Sequence, residues 1–248
     1  MCVIEGPDLV DAALAAHAHF EAIYVEADAL SRAPVASLVE RASAEGVRVF
    51  GLAGATVARV ADATTPQGVM AAVHLPVVAF ETIPSDGLVL VAHDLRDPGN
   101  AGTIVRSAEA AGARGVIFTG QSVDPCNPKA LRASAGAIFQ IPVAVGELEE
   151  VLAHFHARGA TTWATLLDAE SELRDVTLRG PNVVVIGSEA EGLDAAAVAR
   201  CDGSFRIAMA GVSESLNAGV AASLIAFAAL WQRDGATGSV TRPSLGRP

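Results

Sequence analysis

The amino-acid sequence predicts an α/β fold with a parallel sheet, preceded by a smaller α/β unit. Short apolar runs such as LVLVAH and NVVVIG alternate with segments of helical pattern, as expected for strands joined by helical crossovers. These strands are apolar at successive positions, which is typical of a sheet covered by helices on both faces. With 248 residues, 51% apolar and 18% charged, the chain is long enough to bury a sizeable core.

The first unit is predicted to span residues 1–75. Strands are expected at CVIEG, EAIYVEA, VRVFGL and GVMAAVHL, because these runs are apolar or alternate in polarity. Helices are expected at PDLVDAALAAHA, PVASLVERASAEG and GATVARVAD. Pro7 favours a helix start and Gly46 a helix end. The Pro, Ser, Asp and Gly residues within 76–87 then predict a linker.

The second unit is predicted to span residues 88–233. Strands are expected at LVLVAHDL, GVIFTG, TTWATLLDA, NVVVIG and SFRIAMA. Helices are expected at AGTIVRSAEAAG, PKALRASAGAIF and ELEEVLAHFHARG, and from Asn217 to Trp231. Residues 234–248 are rich in Gly, Ser, Thr and Pro, and we expect them to be disordered.

Composition argues against a membrane protein and a metalloprotein. The longest apolar stretch, Ala218 to Trp231, is shorter than the roughly 20 residues that span a bilayer. The opening MCVIEG lacks the basic and apolar regions of a signal peptide, so we expect a soluble, cytoplasmic protein. The three cysteines are isolated, and the histidine pairs have a two-residue spacing that separates them on a helix. We therefore expect no metal.

Polar, glycine-containing loops follow three of the predicted strands. RDPGNAGTIVR comes after LVLVAHDL, SEAEGL after NVVVIG, and GVSESLN after FRIAMA. Ligands of parallel sheets collect at the carboxyl ends of strands, so these loops are candidates for one site. None of them matches the G-x-G-x-x-G, G-x-x-x-x-G-K-[ST] or G-x-S-x-G patterns. Dinucleotide, ATP and hydrolase functions therefore lack their usual motifs.

Together, the three loops resemble the motifs of the SpoU (TrmH) family of RNA ribose 2′-O-methyltransferases. The matching stretches are DLRDPGNAGTIVRSAEAAGA (94–113), VVVIGSEAEGL (183–193) and IAMAGVSESLNAGVAASL (207–224), with NPKALRASAGAIFQIPV (127–143) as a further similar stretch. The resemblance covers residues 88–233. It implies a C-terminal trefoil knot, a homodimer and S-adenosylmethionine bound in the knot. The first unit resembles the small RNA-binding domain that many members carry.

The resemblance also assigns roles to individual residues. It implies that the methyl donor is held by Thr165, Gly187, Ile207 and Leu216. It implies that catalysis depends on Arg106, Asn100, Ser215, Asn217 and Glu189. Because arginine stays protonated in proteins, we expect Arg106 to grip a phosphate or polarise the 2′-oxygen rather than to act as a base. Two residues depart from the family pattern: Ala208 replaces a usual proline, and Gly219 a frequent serine.

The net charge of −11 is unusual for an RNA-binding protein, because phosphate neutralisation supplies much of RNA affinity. The expected RNA contacts are Arg96, Arg114, Lys129, Arg132, Arg32, Arg41, Arg48 and Arg59. Ribosomal RNA is the preferred substrate class, and tRNA is the alternative. Two further hypotheses stay open at this point: a non-catalytic RNA-binding protein that keeps the fold, and a methyltransferase with a non-RNA substrate.

Overall fold

A four-stranded mixed sheet with two helices forms the N-terminal unit. The computed structural model describes residues 1–61, 65–74, 77–212 and 215–235. The strands are β1 (Cys2–Glu5), β2 (His19–Glu26), β3 (Val49–Leu52) and β4 (Val69–His74), and the helices are α1 (Pro7–Ala15) and α2 (Ala33–Ala44). The strand order is β1-β4-β2-β3, with β4 antiparallel to both neighbours and β2 parallel to β3.

The predicted strands and the first two helices of this unit are confirmed. The third predicted helix, GATVARVAD, is wrong as an α-helix, because its described part contains only one 3₁₀ turn, Val57–Arg59. Residue 62, at the end of that stretch, lies outside the described residues, as do Pro76 and residues 236–248 of the predicted tail.

An eight-stranded sheet forms the second unit, and all of its strand pairs are parallel, as predicted. Its strands are β5 (Val77–Val78), β6 (Leu88–His93), β7 (Gly115–Thr119), β8 (Val143–Gly146), β9 (Thr161–Thr165), β10 (Ser171–Glu172), β11 (Asn182–Ile186) and β12 (Gly203–Arg206). The order is β10-β12-β9-β11-β6-β7-β8-β5. The two valines of β5 lie within the predicted linker 76–87 and pair with β8.

Helices cover both faces of this sheet. They are α3 (Pro98–Ala110), α4 (Pro128–Ser134), α5 (Leu148–His156), α6 (Ala195–Ala199) and α7 (Ala218–Asp234). In β6, Leu90 packs in the apolar cluster with α3 and α7, while Val91 packs in the cluster with α5 and α6. Both sides of the strand are therefore buried, which explains its uninterrupted apolar sequence. No helix in the described residues is both long and apolar enough to cross a membrane.

Close backbone approach fixes the position of α3. A Cβ added at Gly102 would lie 2.4 Å from the carbonyl oxygen of Ala130 and 2.5 Å from the Cβ of Ala133, so α3 packs directly on α4. Helix α4 also contacts the N-terminal unit, where Arg132 Nη1 lies 3.4 Å from Glu5 Oε2. One apolar cluster accordingly runs from the N-terminal unit through α4 and α3 into the large sheet.

We predict that Gly102→Ala destabilises the protein, although glycine-to-alanine changes inside helices ordinarily stabilise it. The added methyl group collides with α4, and overpacking of this kind costs about 1–3 kcal/mol. Urea denaturation followed by circular dichroism measures the free energy of unfolding. Gly51→Ala is the control, because a Cβ there meets nothing within 4 Å. A Gly102→Ala variant more stable than the wild type would contradict this packing.

Candidate active site

A cleft of about 620 Å³ opens at the carboxyl ends of β9, β11 and β12 and is bordered by the start of α7. Its walls come from residues 165–168, residues 186–193, Ile207 and Met209, and the stretch from Ser215 to Ala221. These strands are neighbours in the sheet, so the loops that follow them meet at one edge. The four residues predicted to hold the methyl donor, Thr165, Gly187, Ile207 and Leu216, all line this cleft.

Glycine is required where the second motif loop folds back on itself. Ser188 and Gly192 exchange two backbone hydrogen bonds, of 3.2 and 3.0 Å, and close the loop. A Cβ at Gly187 would lie 2.3 Å from the carbonyl carbon of Gly192, and Gly192 itself has a φ of +68°. A side chain at Gly187 would push the loop away from the cleft, so this residue sets the shape of the cleft wall.

A chain of side-chain hydrogen bonds joins the three motif loops. The Asn100 amide nitrogen donates to the Glu189 carboxylate, and the Asn217 amide nitrogen donates to Asn100 Oδ1 at 2.8 Å. Asn217 Oδ1 also accepts the N–H of Val220 at 3.2 Å and so caps α7. Asn100 is only 8% exposed. We call these three residues the amide tether, because each one lies in a different motif.

The start of α3 is fixed by Asp97. Its carboxylate caps the helix by accepting the N–H of Asn100 at 2.8 Å, and the Lys129 ammonium lies 3.5 Å from its second oxygen. The hydrogen bond from the Asn100 N–H, aided by Lys129, lowers the pKa of the Asp97 carboxyl from its ordinary value. This cap holds Asn100 at the position from which its side chain reaches Glu189.

Arg106 and Ser215 do not belong to the amide tether. Arg106 is exposed on α3, outside the cleft lining, and it has no hydrogen-bond or ion-pair partner among the described residues. The Glu189 carboxylate accepts a hydrogen bond from Asn100, so it joins two motif loops to each other and does not bind Arg106. Ser215 lines the cleft, whereas its neighbours Ser213 and Glu214 lie outside the described residues.

The two residues that depart from the family pattern, Ala208 and Gly219, lie near the cleft but are not part of its lining. Gly219 is buried against α3, where an added Cβ would be 3.0 Å from the Thr103 side chain. Ala208 lies between two cleft residues but faces a second cavity of about 590 Å³, lined by residues 172–174 and by the C-terminal half of α7. Neither departure removes a cleft-lining side chain.

Ser188, Glu191 and Met209 lie in the motif stretches but were given no role, and Leu167 and Asp168 lie outside those stretches; all five line the cleft. The predicted strand TTWATLLDA included Leu167 and Asp168, but β9 ends at Thr165, so both follow the strand, where ligands of parallel sheets collect. Leu167, Met209 and Leu216 give the cleft apolar walls, which suits a nucleoside-bearing donor. In the described residues, no group of three or more His, Cys, Asp or Glu side chains could hold a metal ion.

Comparison with known proteins gives the same two-part organisation. A model of the SpoU rRNA Methylase family matches residues 87–227, and one of the MRM3-like substrate binding domain matches residues 1–71. An uncharacterised tRNA/rRNA methyltransferase of Synechocystis is 33% identical, over 93% of this chain and 84% of its own. The 23S rRNA (guanosine(2553)-2′-O)-methyltransferase RlmP of Bacillus subtilis is 30% identical, over 91% of this chain and 86% of its own.

A solved structure is similar over nearly the whole chain. The SpoU methyltransferase AviRb from Streptomyces viridochromogenes, in complex with the cofactor AdoMet, superposes with a TM-score of 0.83 at 27% identity. The superposition covers 94% of this chain and 90% of that one. The α/β architecture with a parallel sheet is therefore shared with a methyltransferase that binds S-adenosylmethionine.

We predict that Asn217→Ala lowers the free energy of unfolding by about 1–2 kcal/mol, because it removes both the α7 cap and the bond to Asn100. Asn217→Asp keeps the oxygen that caps α7 but loses the N–H that bonds to Asn100. It should therefore recover only the part of the unfolding free energy that comes from the helix cap. Urea denaturation measures both variants. The control Asn127→Ala removes the α4 cap, a bond of 2.9 Å to the N–H of Lys129, with no tether attached. If Asn217→Ala has no effect, the amide tether does not hold the loops.

Proposed function

The chain belongs to the SpoU rRNA methylase family, and we propose that it methylates a ribose 2′-hydroxyl of 23S ribosomal RNA. It is an S-adenosylmethionine-dependent RNA 2′-O-methyltransferase. The observation that carries the assignment to this cleft is the meeting of Thr165, Gly187, Ile207 and Leu216 in one 620 Å³ space. The choice of 23S rRNA rests on relatives named for that substrate.

The chain's residues act mainly by positioning. S-adenosylmethionine supplies an electrophilic methyl group on a sulfonium. The apolar side chains of Ile207 and Leu216 would hold the donor against the strand ends, and Gly187 would keep the loop after β11 folded beside it. Alignment of hydroxyl, methyl group and sulfur lowers the barrier by an amount on the order of 7–11 kcal/mol. The amide tether holds two of the cleft walls in register, so Asn100, Asn217 and Glu189 are positioning residues in this proposal.

Arg106 and Ser215 are the two groups proposed to touch the RNA. The Arg106 guanidinium is exposed and has no partner within the described chain, so it is free to grip a phosphate or the 2′-oxygen in a forked contact. The Ser215 hydroxyl lies at the cleft wall, where it can relay a proton, accepting the one from the 2′-hydroxyl while its own proton passes to water.

Most of the expected RNA-binding cations are already paired inside the chain. Arg41, Arg48, Arg114, Lys129 and Arg132 lie beside carboxylates, and Arg32 donates to the carbonyl oxygen of Gln67. In the described residues, Arg59, Arg96 and Arg106 are exposed and have no such partner. We propose that these three bind phosphates first, because no internal ion pair has to break. Their local positive charge would let a protein of net negative charge bind RNA phosphates at these positions.

We further propose a homodimer, a knotted C-terminal region and action in the cytoplasm. Val220, Leu224 and Trp231 form an apolar stripe on α7, and they are 46%, 39% and 63% exposed, which supports a partner on this helix.

The insertion of β11 between β9 and β6 is compatible with the trefoil knot that the family resemblance implies. The match of residues 1–71 to a substrate binding domain supports RNA binding by the N-terminal unit.

The proposed substrate is tested by incubating the protein with methyl-labelled S-adenosylmethionine and separate 23S rRNA, 16S rRNA and total tRNA. We expect label in 23S rRNA, at one nucleotide whose 2′-O-methyl group blocks alkaline cleavage of the RNA chain. Arg106→Ala should lower the rate about 100-fold or more, because a charged contact to the reacting nucleotide is lost. Arg106→Lys should restore only part of it, since lysine lacks the guanidinium fork.

Arg158→Ala serves as the control, because among the described residues the Arg158 side chain bonds only to His154, near the end of α5. It should methylate at the wild-type rate. Label confined to tRNA would replace the rRNA proposal with tRNA ribose methylation. Full activity of Arg106→Ala would remove the role given to that arginine.

A further inference from the structure

The charged side chains that line the donor cleft are all acidic. They are Asp168, Glu189 and Glu191, and no lysine, arginine or histidine lines the cleft in the described part of the chain. Glu189 accepts a hydrogen bond from Asn100. The carboxylates of Asp168 and Glu191 have no hydrogen-bond or ion-pair partner among the described residues. The lining of the cleft therefore carries three carboxylates and, among the described residues, no cation.

This charge does not suit the RNA substrate. A polyanionic strand is repelled by carboxylates, and the partner-free cations Arg96 and Arg106 lie outside the cleft lining. The charge does suit a cationic ligand, since a cavity walled by one sign of charge concentrates ligands of the opposite sign. Asp168 follows β9 and Glu191 lies in the loop after β11, so the carboxylates come from two adjacent strands.

We propose that Asp168 and Glu191 make the cleft select the charged methyl donor over its demethylated product. S-adenosylmethionine carries a sulfonium, an ammonium and a carboxylate, for a net charge of about +1 near neutral pH. In the transfer, the methyl group bonds to the ribose oxygen, the electron pair of the S–C bond stays on sulfur, and the ribose proton leaves to solvent. The product S-adenosylhomocysteine is a neutral thioether with no net charge.

The two ligands differ only by the methyl group and the charge on sulfur. The attraction between a sulfonium and a carboxylate strengthens as the two approach and is weakened by surrounding water. Asp168 and Glu191 are exposed, so the attraction of each is modest. Each carboxylate is then expected to favour the donor by about three- to tenfold over the product. The protein thereby releases its product more readily than it releases unused donor.

The inference rests on the assignment of this cleft as the donor site. Its test is binding of S-adenosylmethionine, S-adenosylhomocysteine and sinefungin, measured by isothermal titration calorimetry without RNA. Sinefungin has a carbon that bears a protonated amine in place of the methyl-bearing sulfonium, so it keeps a positive charge there and cannot transfer a methyl group. The variants are Asp168→Asn, Glu191→Gln and the double variant. Glu170→Gln is the matched control, because Glu170 is exposed two residues from Asp168 and lies outside the cleft lining.

We expect each single variant to weaken binding of S-adenosylmethionine and sinefungin by about three- to tenfold, and to change product binding by less than about twofold. The effect should shrink as salt is raised, and Glu170→Gln should leave the donor-to-product ratio unchanged. An equal loss of affinity for all three ligands, or an unchanged ratio, would overturn the inference alone. If the wild-type protein binds none of them, the cleft assignment and the inference both fail, and the RNA methylation assay then tests the activity separately.

Discussion

Two side-chain amides hold the functional loops in one arrangement. Asn100 and Asn217 bond to each other and, through Asn100, to Glu189, so α3, the loop after β11 and the start of α7 share one hydrogen-bonded chain. Asn100 is nearly buried, and an unpaired amide there costs about 1–3 kcal/mol, so the arrangement is favoured over any that separates the loops. These bonds join α3 to two borders of the cleft, the loop after β11 and the start of α7. The proposed RNA contacts, Arg106 and Ser215, lie outside the amide tether and remain free to bind substrate.

Glycine allows the backbone to approach closely enough for the tether to form. Gly102 lets α3 lie directly on α4, and Gly187 lets its loop close over the strand end. A Cβ added at Gly102 or at Gly187 would lie 2.4 or 2.3 Å from a backbone atom of the neighbouring segment, so a side chain at either position would force the two segments apart. The position of Asn100 thus depends on packing in the core as much as on its own hydrogen bonds. The packing of α3 on α4 therefore also fixes the side chain that joins the loops around the cleft.

The large sheet was predictable because its strands are buried on both faces and leave continuous apolar runs, as in β6 and β11. Strands β5, β8 and β10 were not predicted, because runs of two to four residues carry little periodicity. The motifs predicted four residues that line one cleft, but the bond between Asn100 and Glu189, 89 positions apart, depends on β11 pairing with β6. Strand order is not encoded locally. Asp168 and Glu191 were missed because, in sequence, an exposed loop carboxylate is ordinarily a solvated one.

Cavity size does not identify the donor site, because the second cavity, at about 590 Å³, is nearly as large as the 620 Å³ cleft. Hydrogen–deuterium exchange with and without S-adenosylmethionine separates the two most directly. If the tethered loops form the donor site, the ligand slows exchange in residues 165–168, 187–193 and 215–221, and leaves residues 172–174 and 228–232 unchanged. Protection confined to residues 172–174 and 228–232 would contradict the account.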